Sequence, residues 1–410
     1  MAATPSATVE FGPQNMWLDE ELLQVLAAGN KVRFEELLRG EDSGGGNDSR
    51  QQTNDQVAIN FHSAEPAPEP TRRGGTCCLH GVTSNGSTAL HIVASHGHAE
   101  LAALVCERAP WLAATRNRCL DTPLHCAART GHRDVAACLL RTMPPTAVQA
   151  RNKTGDTALH DAVRHDRVGI VDILMTTVPW LASITTDDGV SPLYMAAAAQ
   201  SKRMVQVLLH PMQNGGPSPA SAAGPEGRTA LHVAATGMKV QLFLNGYTSL
   251  GLASISDNEG SYPVHAAAKF EETRILDELV EKCPNYYEMV DDKGRNLLHV
   301  AVEDERETVV RHICKNDNFT TLLNAEDSNG NTPFHLAVKY SYPQIFGLLL
   351  GTTTVDMCIT NKDGHTAKDL ALRALAPDQM HYFLINRTMP DNRAKTVFVG
   401  GYMGHPLLIA

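Results

Sequence analysis

Aromatic side chains are scarce in this 410-residue chain, where Phe, Trp and Tyr together make up 5% of the residues. With so few large rings, a core drawn from the 43% apolar fraction must be built from Ala, Leu, Val and Ile, which favours closely packed helices. Cationic blocks are missing too. The 35 Lys and Arg are dispersed, the formal charge is −10 and the pI is near 6.0, so no nucleic-acid partner is expected. The nine cysteines (Cys77, Cys78, Cys106, Cys119, Cys126, Cys138, Cys283, Cys314, Cys358) are odd in number and contain no C-x-x-C pair, a usage that predicts reduced intracellular thiols rather than a disulfide framework. No run approaches the ~20 apolar residues of a spanning helix, and the amino terminus lacks the charged flank and apolar block of a secretion signal. The chain therefore reads as soluble, without a transmembrane segment. G-x-S-x-G, H-E-x-x-H, Walker-type and Rossmann-type patterns are also missing. No catalytic residue, metal site or cofactor is assigned, and the expectation is a protein that is not an enzyme.

What the chain does have is repetition. "DTPLH" (121–125) returns as "STALH", "DTALH", "RTALH" and "NTPFH". With its His as a ruler, equivalent positions fall at His91, His125, His160, Tyr194, His232, His265, His299, His335 and Asp369, at intervals of 34, 35, 34, 38, 33, 34, 36 and 34 residues. A period near 33 carrying T-P-L-H-x-A is the signature of ankyrin repeats, each a turn followed by two antiparallel helices. The expected fold class is all-α, a solenoid of about nine such repeats with β-hairpin-like turn tips.

Each recurring residue type has a physical reason. Thr88, Thr122, Thr157, Ser191, Thr229, Thr332 and Thr366 stand where a helix begins and can cap it. Pro123, Pro192 and Pro333 follow at the first helical position, where a missing N–H costs nothing. Two places after the ruler, a small residue recurs (Ala127, Ala162, Ala196, Ala234, Ala267, Ala301, Ala337, Ala371, with Val93 the exception) and lets neighbouring helices approach. Second helices present apolar faces such as Val135, Cys138 and Leu139. In the turn, Gly86, Gly155, Gly189, Gly227, Gly260, Gly294, Gly330 and Gly364 suit a backbone at positive φ, and Asn152, Asp257, Asp291, Asp327 or Asn361 can brace it. Leu120 breaks the glycine rule, which predicts an altered or strained turn there.

The repeated histidines are read as structural. His91, His125, His160, His232, His265, His299 and His335 can each hydrogen-bond nearby hydroxyl and carbonyl groups, tying a repeat's turn to its own helix. Successive rings lie about 10 Å apart by ordinary helix-packing distances, too far to share a metal. His96 and His98 in "ASHGHAEL" and the thiols of "CCLH" (77–80) have no second ligand pair at the right spacing. The acidic "EDERE" (303–307) reads as a solvated helix edge. Trp111 and Trp180 occupy matching places in "APWLAA" and "VPWLAS" and are expected to pack against the next repeat.

Domain boundaries follow from composition. Residues 1–39 hold a tail and degenerate capping helices; 40–76, rich in Gly, Ser, Asn, Gln, Asp and Pro, form a disordered insert; 77–376 are the solenoid; 377–410 form a poorly ordered tail. A shorter insert at 211–227 should bulge from one edge, and "GRTALHVAATGMKVQLFLNGYTSL" reads as an irregular repeat or two joined half-repeats. A stack of this kind offers a concave side of turn tips and first helices on which residues vary without disturbing the core. The candidate partner-binding positions are Arg118, Lys153, Asp156, Asp187, Arg228, Glu259, Lys293, Arg295, Asn331, Lys362 and His365 on the tips, with Arg129, Arg164 and Lys269 on first helices. Their mixed charge predicts a protein partner with complementary charges of both signs.

"EGSYPVHAAAK", "GRNLLHVAVEDER", "LLNAEDSNGNTPFHLAV" and "TNKDGHTAKDLA" carry a narrower resemblance, spanning residues 77–375, to plant ankyrin-transmembrane proteins of the accelerated-cell-death type. That resemblance implies defence or cell-death signalling at the plasma membrane. The family's carboxy-terminal membrane domain and its Pro-Gly-Gly motif are not found in this sequence. The expectation is a non-enzymatic scaffold for protein partners, cytoplasmic or at the inner face of the plasma membrane; the alternative is the cytosolic half of a receptor-like or channel-like membrane protein.

Overall fold

The computed structural model describes residues 17–42, 77–211, 216–237, 240–244 and 249–374. The chain divides into two compact units, Met1–Asn258 with Glu281–Cys283, and Glu259–Val280 with Pro284–Ala410.

In the first unit, α1 (Glu20–Ala28) and α2 (Lys31–Asp42) precede a run of helix pairs: α3 (Ala89–His96) and α4 (Ala99–Arg108), α5 (Pro123–Thr130) and α6 (Arg133–Thr142), then the one-turn α7 (Pro145–Val148). α8 (Ala158–Arg164) and α9 (Val168–Thr177), and α10 (Pro192–Ala198) and α11 (Lys202–Leu209), continue the series. The short α12 (Ala230–Ala234), α13 (Gln241–Leu244) and α14 (Ser249–Ala253) follow. First helices pack side by side in the order α1, α3, α5, α8, α10, α12, and second helices in the order α4, α6, α9, α11. The other unit holds α15 (Pro263–Lys269), most of α16 (Thr273–Lys282), α17 (Leu297–Glu303), α18 (Glu307–Lys315), α19 (Pro333–Lys339), α20 (Pro343–Leu350) and α21 (Ala367–Ala374). Here α15, α17, α19 and α21 form the row of first helices.

The small-residue rule explains this close packing. Ala127, Ala162, Ala196, Ala234, Ala267, Ala301, Ala337 and Ala371 are all 0% exposed, and so is Val93. Among the described residues, Phe34, Phe243, Phe319 and Phe334 are fully buried, with Phe319 edge-on to Tyr286 and His312 and Phe334 stacked on Phe346. Among the described residues no strand forms, but isolated antiparallel bridges at Val82–Thr88, Ala223–Thr229 and Thr360–Thr366 give three tips a hairpin character.

Several boundaries differ from the sequence expectation. α2 runs to Asp42, past the assigned end of the capping region at 39, while residues 43–76 and 375–410 lie outside the described residues. The insert at 211–227 does more than bulge. Where His stands three residues after the cap, its ring nitrogen receives the cap N–H; at Ser191 that place is Tyr194, which has no ring nitrogen. The carbonyl of Ala223 accepts the Ser191 N–H instead, at 2.9 Å, and Ala230 N–H donates to Ala222 at 2.7 Å. Asp369, the other departure from His, reproduces the cap with a carboxylate, its Oδ2 taking the Thr366 N–H at 2.9 Å and the Thr366 hydroxyl at 2.7 Å. The repeat opening at Thr229 is irregular as expected, with a first helix of only five residues.

Candidate functional site

The repeated histidine uses both ring nitrogens. Nδ1 receives the backbone N–H of the cap residue, at 3.2 Å from Thr88 to His91, 3.1 Å from Thr122 to His125 and 3.2 Å from Thr157 to His160. Because Nδ1 is an acceptor there, the proton sits on Nε2. Nε2–H then donates to the turn of the following repeat: His91 to Asp121 O at 2.9 Å, His125 to Asp156 O at 3.1 Å, and His160 to Val190 O at 3.2 Å. In the second unit His299 reaches Asn331 O at 3.0 Å and His335 reaches His365 O at 3.2 Å. The tie therefore runs between repeats, where the sequence suggested only a tie within one. The missing information was the length of the imidazole, which spans from its own helix start to the next turn. Burial pushes the ring pKa of His91, His160 and His299 down to about 4 and lowers those of His125 and His335, so all five are neutral near pH 7.

A second series of ties escaped the sequence reading. His98, His132 and Arg167, each just past the turn between paired helices, reach back to the previous first helix: His98 Nε2 to Ala27 O at 2.8 Å, His132 Nε2 to Ser95 O at 3.2 Å, Arg167 Nε to Arg129 O at 3.1 Å. The "GH" in "SHGH" and "TGHR" was the available signal. His96 and His98 stack with ring centroids 6.2 Å apart, and His96 Nδ1 meets Ile92 O at 2.9 Å, so a ring nitrogen of each faces a backbone carbonyl. Among the described residues no group of three or more His, Cys, Asp or Glu could hold a metal ion. The side chains of Cys77 and Cys78 lie outside the described residues.

The tips are braced as the sequence suggested. Asn152, Asp291, Asp327 and Asn361 each accept two backbone N–H groups of their own turn, and Asn117, which the sequence reading did not name, does the same. Adjacent tips are also zipped by backbone bonds: Arg118 N to Asn85 O and Lys153 N to Cys119 O in the first unit, Ser328 N to Lys293 O and Lys362 N to Asn329 O in the second. Of the tip candidates, Arg118, Lys153, Asp187, Arg228, Glu259, Lys293 and Lys362 are exposed. Asp187 pairs with Arg151 at 2.8 Å, Arg228 lies 3.7 Å from Asp257, and Lys362 Nζ donates to Ser328 O.

Other candidates point inward, a correction to the surface reading. Asp156 is 1% exposed and pairs with Arg164 at 2.8 Å; Asn331 is 7% exposed and links Asp327 to Asn361. Arg295 is held between Asp291, at 2.6 Å, and Glu303. His365 is half-buried, with its carbonyl occupied by His335. Arg129 bridges the buried Asp121 and Asp161, at 3.2 and 2.9 Å. Asp161 was missed, although it stands where Ile92, Cys126, Val300 and Leu336 stand in other repeats, and a carboxylate at an apolar place signals a paired charge. Burial pushes its pKa up against the pull of Arg129. Lys269, by contrast, stays exposed, with Asp304 3.7 Å away. The tryptophans also depart from expectation: Trp111 and Trp180 are 44% and 37% exposed on 3₁₀ turns, and the neighbouring Leu112 and Leu181 fill the core instead.

No helix of the described residues is long and apolar enough to cross a membrane. In comparisons with known proteins, the family model "Ankyrin repeats (3 copies)" matches residues 71–143, 111–179 and 264–363. Rabankyrin-5 of Homo sapiens is 33% identical over 156 residues, covering 37% of this chain and 13% of that protein. SAT10, an ankyrin repeat domain-containing protein of Stachybotrys chartarum, is 31% identical over 141 residues, 34% of this chain and 7% of its own length. Neurogenic locus notch homolog protein 1 of Mus musculus is 26% identical over 142 residues, 35% of this chain and 5% of its own length. The chain thus spans about an eighth or less of these relatives, and the likeness is confined to the repeats. The family-model matches cover more than half of the chain, and with the cap histidines and stacked helix pairs they show that it belongs to the ankyrin-repeat proteins.

Proposed function

We propose that this chain is a non-enzymatic scaffold that binds other proteins through its turn tips. One observation carries the reading: His91, His125 and the Arg129 bridge between Asp121 and Asp161 use buried polar groups to join repeat to repeat, whereas Arg118, Lys153, Asp187, Lys293 and Lys362 stay exposed on the tips. Within each unit, tips with a fixed backbone present a recognition surface with little backbone entropy to lose on binding. The test is a pairwise interaction screen with the full chain and with a variant reversing Arg118, Lys153, Asp187 and Lys362. Partners lost by a variant that melts normally support the scaffold; an equal set of partners for both proteins removes the tips from it.

The order of motifs over residues 77–375 favours a second reading, in which the chain is the cytosolic part of a membrane-attached receptor-like or channel-like protein acting in plant defence or cell-death signalling. This setting, at the inner face of the plasma membrane, is supported by that resemblance alone. A transcript continuing past codon 410 into apolar segments supports it, and a stop codon at that point counts against it.

A further inference from the structure

The tip formed by residues 117–121 departs from its neighbours. At the place where Gly86, Gly155, Gly189, Gly227, Gly260, Gly294, Gly330 and Gly364 take φ between 71° and 78°, this tip has Leu120 at φ 59°. A β-carbon in the left-handed region is strained. The same side chain is 42% exposed, so it gains little from burial. A lone exposed leucine needs no explanation; one that is also held in a conformation its eight counterparts reserve for glycine gives the fold nothing in return.

The backbone around it is fixed. Leu120 N–H donates to Asn117 O at 2.9 Å, Asn117 N–H donates to Asp121 O at 3.0 Å, and Asn117 Oδ1 accepts from Cys119 and Asp121 at 2.9 and 3.0 Å. The tip is zipped on both sides, by Arg118 N to Asn85 O at 2.9 Å and by Lys153 N to Cys119 O at 2.8 Å. Around Leu120 the outward charge is mostly cationic, the exception being the exposed Asp187 of the tip after next, which pairs with Arg151 at 2.8 Å. Arg116 and Arg118 belong to its own strand-like edge, and Arg151 and Lys153 to the next tip, whose Arg151 carbonyl accepts from the Arg116 guanidinium. The carboxylates of these two tips, Asp121 and Asp156, turn inward to Arg129 and Arg164. A cationic patch around an aliphatic anchor thus stands out in a chain of formal charge −10.

We propose that this tip pair is a docking site for an acidic peptide segment carrying one large apolar residue, with Leu120 as the contact for that residue and Arg118 and Lys153 as the charges that orient it. The proposal rests on the scaffold reading and gives it a partner chemistry. Charge complementarity selects an acidic occupant. The anchor is aliphatic rather than an aromatic face on which bases could stack, so a peptide fits better than a nucleic acid.

The test uses the full chain as bait for a phage library of short random peptides, followed by anisotropy titration of the enriched peptides and of a DNA duplex. The expected consensus has Asp or Glu flanking a Leu, Ile, Phe or Trp. L120G and R118E/K153E should each weaken it about tenfold. L120A keeps the left-handed β-carbon while trimming the side chain, and should weaken binding to a similar extent. If peptides are enriched but bind L120G and L120A as tightly as the parent, or lack acidic residues, this site is wrong and the scaffold reading stands. If no peptide is enriched, this proposal falls, and the scaffold reading is decided by the partner screen. Binding of the DNA duplex through Arg118 and Lys153 in preference to any peptide would also overturn the proposal.

Discussion

His125 Nε2 lies 3.1 Å from the carbonyl oxygen of Asp156, 31 residues further on, while its Nδ1 takes the N–H of Thr122. Replacing His125 with Ala strands a buried donor at Thr122 and a buried acceptor at Asp156 together. The expected loss is about 3 kcal/mol in the stability of the first unit, read from urea denaturation. A loss below about 0.5 kcal/mol would show that these bonds are not what joins the two repeats.

Acidification should loosen both units. The folded-state pKa values of His91, His160 and His299 are depressed to about 4 by burial, and those of His125 and His335 are lowered. A depressed histidine contributes stability that is fully present above the unfolded value of about 6.5 and is lost as pH falls towards the folded value. Each of the three at about 4 is worth ~3 kcal/mol over that window. Denaturation midpoints followed by circular dichroism should fall steadily between those limits; a flat profile there would contradict the buried neutral rings.

Arg129 holds two buried carboxylates apart from each other's repulsion. Arg129→Met should destabilise by about 2 kcal/mol, below the usual cost of breaking a buried pair because the guanidinium is itself 37% exposed. Adding Asp161→Leu to Arg129→Met should recover part of the loss, since one uncompensated charge is then removed. A double mutant no more stable than the single one would mean that Asp161 is not sensing Arg129.

Leu120→Gly should raise stability by about 1 kcal/mol, because the left-handed backbone is kept and the β-carbon strain is removed. Gly97→Ala should do the reverse: its φ is 85°, and an added β-carbon would run into the His132 ring that packs there. Differential scanning calorimetry of the two variants against the parent decides both, and a change of the same sign in each would refute the backbone argument.

Most of the repeat was legible because it is periodic: cap threonines, alanines and turn glycines recur at the places where the structure needs a hydroxyl, a small side chain and a positive φ. Positions read as variable surface were harder. Asp156 and Asn331 occupy tips yet face inward, because one residue's shift along a tight turn reverses the direction of its side chain. Tyr194 was legible as an exception, but not that Ala223 would supply the missing acceptor, since that contact crosses an insert with no pattern of its own. Trp111 and Trp180 follow the same logic: their shared spacing marked a repeated place, while the side of the 3₁₀ turn they occupy depended on Leu112 and Leu181 taking the interior first.

The ties made by the cap histidines His91, His125, His160, His299 and His335 all point one way along the chain, from the ring to a carbonyl some thirty residues later. Trimming either unit from its amino-terminal side leaves an extra backbone oxygen that water can greet, whereas trimming from the carboxy-terminal side abandons an imidazole proton in an apolar interior. Deletion series run from the two directions should therefore be unequal in severity, with the lower tolerance at the trailing edge.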